Sequence, residues 1–248
     1  MSYDDAAPEF PGKHGTGFFV SFGGALFLLT ARHCLGKPGI DFGDIAARLL
    51  IPASPVLSGN YVRFSSVGRA VSTERFDEFL GHEEGDLDIV ALEVAAVDNP
   101  PHVLSEVRAR SVVLPPTGEW FENSIRHFAA EGKEPVFRTR GYPHEGTDTE
   151  FDYGRRHIVV QGAELLGRHV GLGPYPHTRQ FRVFDNSPIS EPNGMSGAPV
   201  RLRVSGPKEE RYALVGMVLG GKFPNVFFAT VEWLTAAVQK SMIRGEGL

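Results

Sequence analysis

The sequence predicts an all-β fold, a barrel or a sandwich, closed by a single C-terminal helix. Three observations carry this. Short runs rich in β-branched and aromatic residues recur along the whole chain. Gly (29 residues) and Pro (18) separate those runs at the spacing expected of turns. Only the last stretch, VEWLTAAVQKSMIR (231–244), repeats its apolar residues at helical spacing, at Val231, Leu234, Val238 and Met242.

The elements follow in order. GFFVSF (17–22), ALFLLTA (25–31), YVRFSS (61–66), DIVALEV (88–94) and SVVL (111–114) read as strands of an N-terminal unit, 1–114. The proline-rich LPPTGEW (114–120) reads as the connection to a C-terminal unit, 135–248. Between them, 115–134 is a linker or insertion, with either a short helix or a loop over 121–134. PVFRTR (135–140) resumes the strand pattern, and 141–156 reads as a polar surface loop. HIVVQG (157–162), FRVF (181–184), APVRLRV (198–204), YALVGMVLG (212–220) and VFFATV (226–231) complete the strands.

Bulk properties narrow the function. A chain of 248 residues can bury a sizeable core. Its net charge of −5 gives no basic face for a nucleic-acid partner. The apolar runs are too short to span a bilayer, and MSYDDAAPEF lacks the basic start and apolar run of a signal peptide. Cys34 is the single cysteine, so no internal disulfide can form. The expected location is the cytoplasm.

Three stretches carry chemistry. NGMSGAP (193–199) holds Ser196 between Gly194 and Gly197. LLTARHC (28–34) ends a strand with His33, and DLDIVALEV (86–94) opens one with two aspartates. A serine hydroxyl is a weak nucleophile until a histidine takes its proton and a carboxylate orients that histidine. Glycines beside the serine let the backbone aim N–H groups at a developing oxyanion. The candidate roles are therefore Ser196 as nucleophile, His33 as base, and the amides of Gly194 and Ser196 as oxyanion donors. Asp86 and Asp88 point to the same side of the strand start, so either could complete the set. Cys34 reads as a packing residue.

These stretches resemble the histidine, aspartate and serine motifs of the trypsin-like (chymotrypsin-fold) serine peptidases. VGMVLGG (215–221) is similar to the family's substrate-binding strand, and PNVFFATVEWL (224–234) to its last strand and closing helix. The order His, Asp, Ser also fits, while 115–180 matches loosely, through GYP at 141–143. The resemblance implies two six-stranded antiparallel barrels with the site between them, His33 and Asp88 coming from the first and Ser196 from the second. It implies a cofactor-free serine endopeptidase acting on a protein or peptide substrate, and it favours Asp88 over Asp86. It places Ser190 at the base of the specificity pocket, with Glu191 beside it. Leu219, Gly220 and Gly221 would form the wall, and Asn225 would border the floor. Two departures stand out. Met195 replaces the aspartate that pairs with a cut amino terminus in secreted members, and Cys34 lacks a disulfide partner. Both suggest an intracellular, bacterial-type member controlled in some other way.

The acidic cluster His82, Glu83, Glu84, Asp86 and Asp88 fits no metal-binding spacing, so no metal is expected. GTG at 15–17 leads into a strand and is too short for a dinucleotide fingerprint. The alternative to an active peptidase is a latent or inactive protease-fold module for binding or scaffolding, switched on by an activating protein partner.

Overall fold

The computed structural model describes residues 15–35, 49, 51–53, 61–64, 88–116, 118–145, 149–152, 157–160, 162–175, 177–205 and 210–244. In the N-terminal part, β1 (Gly17–Phe22) and β2 (Ala25–Ala31) form a hairpin across Gly23 and Gly24. A 3-10 turn, Arg32–Leu35, follows β2 directly. β3 (Ile51–Pro52) and β4 (Tyr61–Val62) pair with each other, and β5 (Ile89–Glu93) pairs antiparallel with β2. Helix α1 (Pro101–Arg110) starts at a proline, where the missing N–H has no helical partner to lose. It buries Val103 and Val107, one turn apart on the same face. β6 (Val112–Val113) then joins β1 in parallel.

After the proline-rich connection comes α2 (Trp120–Ala130). Its first turn is closed from outside: the Phe121 amide donates to Glu232 Oε1 at 2.5 Å. β7 (Val136–Gly141), the hairpin β8 (Thr149–Asp152) with β9 (His157–Val160), β10 (Ala163–Leu172) and β11 (Thr178–Val183) follow. The chain continues through β12 (Pro199–Ser205), β13 (Glu210–Lys222) and β14 (Asn225–Thr230) into α3 (Val231–Arg244). Six strands close a barrel in the order β10-β11-β14-β13-β12-β7. Inward side chains fill it, and Phe137 stacks on Phe181 at 6.0 Å between ring centres, with Phe121 and Phe228 against them.

Several expectations change. One barrel closes; among the described residues the N-terminal strands form a four-stranded sheet, β5-β2-β1-β6, and a two-stranded one, β3-β4. β6 takes the outer side of β1, and the chain after β4 meets the chain after β5 through the bridge Phe64 to Val94 and through Arg63, whose carbonyl accepts from Ala95 N–H at 3.0 Å. The segment read as a polar loop contains β8. β10, α1 and β3 carried no prediction.

One core ties the parts together. Val20, Phe27, Leu29, Ala31, Ile89 and Ala91 of the sheet pack with Met217, Leu219 and Ala229 of the barrel, and with Val231, Leu234 and Val238 of α3. The closing helix therefore spans both halves. Each of these large side chains contributes about 1.5–3 kcal/mol by leaving water.

Candidate active site

The site lies on the seam between the sheet and the barrel. β2 is buried almost throughout, and the 3-10 turn at its end brings His33 out of the core: its side chain keeps 44% exposure. Asp88 stands immediately before β5, in register with the end of β2. Its side chain is fully buried. The His33 amide donates to Asp88 Oδ1 at 3.0 Å, and His33 Nδ1 contacts Oδ2 directly. The Arg32 amide also donates to the Asp88 carbonyl, at 3.3 Å. Both ends of the aspartate are thus tied to the turn that carries the histidine. Asp86, the other candidate, and the cluster residues 82–84 lie outside the described residues.

Burial on its own would lower the His33 pKa. The hydrogen bond and charge of Asp88 oppose it, with Cys34 adding to them, and the value rises from 6.5 to about 10. A carboxylate locked on Nδ1 stabilises the imidazolium, and that outweighs desolvation here.

Ser196 sits in two consecutive β-turns. Met195 N–H donates to Pro192 O, and Ala198 N–H to Met195 O, each at 2.9 Å. Gly194 (φ +86°) and Gly197 (φ +85°) occupy the third position of each turn, while Asn193 and Ser196 have no positive φ. This is type II geometry, which demands a left-handed residue at that position. At Gly197 a side chain would also run into the Thr16 carbonyl. The glycines that flank the serine are thus turn residues and close-packing residues together.

The turns also aim the backbone. The carbonyl and the following N–H of a trans peptide point in opposite directions. Asn193 O accepts from His144 N–H at 2.7 Å, which turns the Gly194 amide the other way. Met195 O accepts from Ala198, which does the same for the Ser196 amide. Among the described residues, no carbonyl or side chain accepts from either amide.

Ser196 itself is 6% exposed. Its hydroxyl donates to Leu219 O at 3.2 Å. Leu219 is the residue at which the β13–β14 register shifts, a bulge that leaves its carbonyl outside the ladder. The Ser196 carbonyl accepts from Thr16 N–H at 2.9 Å and from Cys34 Sγ at 3.5 Å. The Ser196 backbone is therefore bonded to Cys34, the neighbour of His33.

The chain matches no family model and no curated protein. Among solved structures, a human pathogenic astrovirus serine protease is similar, with 15% identity, a TM-score of 0.37, and cover of 87% of this chain and 82% of that one.

The residues read as a specificity pocket are placed unevenly. Leu219 is buried and its carbonyl accepts the hydrogen bond from the Ser196 hydroxyl; Gly220 and Gly221 follow it on β13, opposite Phe227 and Val226. Asn225 lies at the hairpin end of β14, in register with Lys222 and Arg182. Ser190 is exposed, and its hydroxyl is committed to Glu145 at 2.8 and 2.9 Å. Glu191 is exposed too and accepts from Asn193 Nδ2 at 2.7 Å.

Glu145 is a residue that sequence reading missed. Its carboxylate accepts from the Ser190 hydroxyl and amide and from the Glu191 amide, and these bonds hold its pKa below the usual carboxylate range. Thr16 and His144 were missed as well. Their partners are over a hundred or several tens of residues away in sequence, so no local pattern marks them. Among the described residues no group of three or more His, Cys, Asp or Glu could hold a metal ion, and no helix is long and apolar enough to cross a membrane.

Proposed function

We propose that this protein is a serine endopeptidase. Ser196 Oγ attacks the substrate carbonyl carbon and its proton passes to His33 Nε2, the nitrogen turned away from Asp88. The Gly194 and Ser196 amides hold the oxyanion. The peptide C–N bond then breaks, the proton moves from Nε2 to the departing amine, and a water releases the acyl group by the same steps in reverse. Asp88 orients the ring and stabilises its charged form. Leu219, Gly220 and Gly221 offer the substrate backbone an added-strand contact. The reaction needs no cofactor, and a role inside the cell is the setting we propose.

One observation carries this reading. A buried carboxylate grips the histidine on the turn that ends β2, and two amides with no acceptor among the described residues stand at the serine on the adjoining barrel loop. A packing role for Ser196 would not require both.

A second reading has its own support. An imidazolium has no lone pair to accept a proton, and the Ser196 hydroxyl donates to Leu219 O instead. That is a resting arrangement, in which the oxyanion donors stand ready while the proton path is not engaged. A partner or a substrate whose backbone N–H displaces Ser196 from Leu219 O would release it.

Fluorophosphonate labelling tests the reading. The wild type should label at Ser196, and Ser196→Ala and His33→Ala should not. A folded wild type that stays unlabelled at every pH up to 10 overturns the active-enzyme reading and leaves the latent module.

A further inference from the structure

We propose that Thr16 is a positioning residue that locks the Gly194–Ser196 segment with both amides presented, in place of a charged pair inside the loop. This rests on the peptidase reading above. GTG (15–17) stood out in the sequence without a role. In the structure Thr16 is 5% exposed and four hydrogen bonds converge on it. Its amide donates to Ser196 O at 2.9 Å, and its hydroxyl donates to Gly194 O at 3.0 Å. The same hydroxyl accepts from Tyr142 N–H at 3.0 Å, and the Thr16 carbonyl accepts from Thr30 Oγ1 at 2.7 Å.

The consequence is a loop in which every peptide plane is fixed. The Asn193 carbonyl is held by His144, that of Gly194 by the Thr16 hydroxyl, that of Met195 by Ala198 and that of Ser196 by the Thr16 amide. Glycine at 194 would otherwise allow its flanking peptides to flip, since it has no side chain to bias its backbone. The Thr16 hydroxyl removes that freedom from the Gly194 carbonyl, and through it from the neighbouring amides. Met195 is wholly buried among Ala198, Val200 and Val218, so the loop offers no charge for a distant amine to grip. The strut is an internal side chain that arrives with β1.

The deciding pair is Thr16→Val and Thr16→Ser. Valine keeps the shape and removes the hydroxyl; serine restores it. Amide hydrogen exchange of peptides spanning 190–197 is measured against peptides of β2 from the same digest, alongside the fluorophosphonate labelling rate over pH. Thr16→Val should speed exchange in 190–197 by about tenfold or more, leaving β2 unchanged, because the loop opens locally. Labelling should slow by about 10- to 100-fold without moving its pH midpoint, since His33 and Asp88 are untouched. Thr16→Ser should return both to within about threefold of wild type. Exchange within twofold of wild type in Thr16→Val overturns the proposal, whatever the labelling does. Faster exchange in a protein whose wild type never labels keeps the strut and discards the peptidase reading. Should Thr16→Val not fold, Thr16→Ala removes the same hydroxyl without a second methyl and is read in the same way.

Discussion

The His33–Asp88 corner and the Gly194–Ser196 loop meet at one seam but are held by different forces. The corner depends on charge: a buried carboxylate fixes a half-exposed ring and shifts its titration. The loop depends on backbone geometry, with two type II turns, hydrogen-bonded carbonyls and a neutral threonine. The two halves should therefore respond to different perturbations. Proton concentration should act on the corner, and backbone substitution on the loop.

The largest expected effect breaks the corner. Asp88→Asn keeps the shape and removes the charge, so labelling and peptide hydrolysis should fall by about 10⁴-fold. The His33 pKa, followed by NMR of the ring, should drop from about 10 toward its ordinary 6.5. A variant that keeps wild-type activity would show that the carboxylate is structural only.

Breaking the loop should cost less. Gly194→Ala places a side chain 2.6 Å from the Tyr142 carbonyl and 2.9 Å from the His144 amide, at a φ of +86°. Activity should fall by about 10²- to 10³-fold, the loss expected when one oxyanion donor is displaced. The NMR titration of His33 should stay where it was, which separates the two halves cleanly.

Acidity sharpens the contrast. In the proposed mechanism the neutral ring is the base, so the rate should climb from neutral pH toward about 10. Stability should run the other way. Because the folded pKa of His33 is raised, its contribution is fully present below about 6.5 and is lost as pH rises through about 10. The gap in urea midpoint between wild type and His33→Gln should therefore shrink from pH 6 to pH 10. An unchanged gap would mean that the Asp88 contact carries no net charge coupling.

The smallest effect on chemistry should come from the shared core. Leu234→Ala empties a fully buried position between sheet, barrel and α3, and should cost about 2–5 kcal/mol in denaturant unfolding. Labelling by the remaining folded protein should change little.

How much of this was legible in the sequence differs by the range of the interactions. His33, Asp88 and Ser196 each sit in a local pattern: a histidine ending an apolar strand, an aspartate opening one, a serine between glycines. The glycines beside Ser196 marked unusual backbone there, but the two type II turns came only from the φ angles and hydrogen bonds. β10 was not. AELLGRHVGL carries two glycines and alternates buried with exposed positions, so its apolar signal is diluted. Helix α1 buries little beyond Val103 and Val107, too few to stand out from the surrounding polar residues. Ser190 shows the limit of counting along a loop: its hydroxyl bonds Glu145, a partner 45 positions away that no local pattern marks. Closure of a second barrel depends on pairing between distant edges, and composition is silent on that.

The position of α3 has a consequence for synthesis. Val231, Leu234 and Val238 complete the core beneath the N-terminal sheet, yet among the described elements they leave the ribosome last. The sheet that carries His33 and Asp88 therefore waits, part of its apolar face uncovered, until the barrel and its helix have emerged. A nascent chain cannot assemble the seam early: the seam is completed only when the helix docks, and the unfinished first half exposes apolar surface until then.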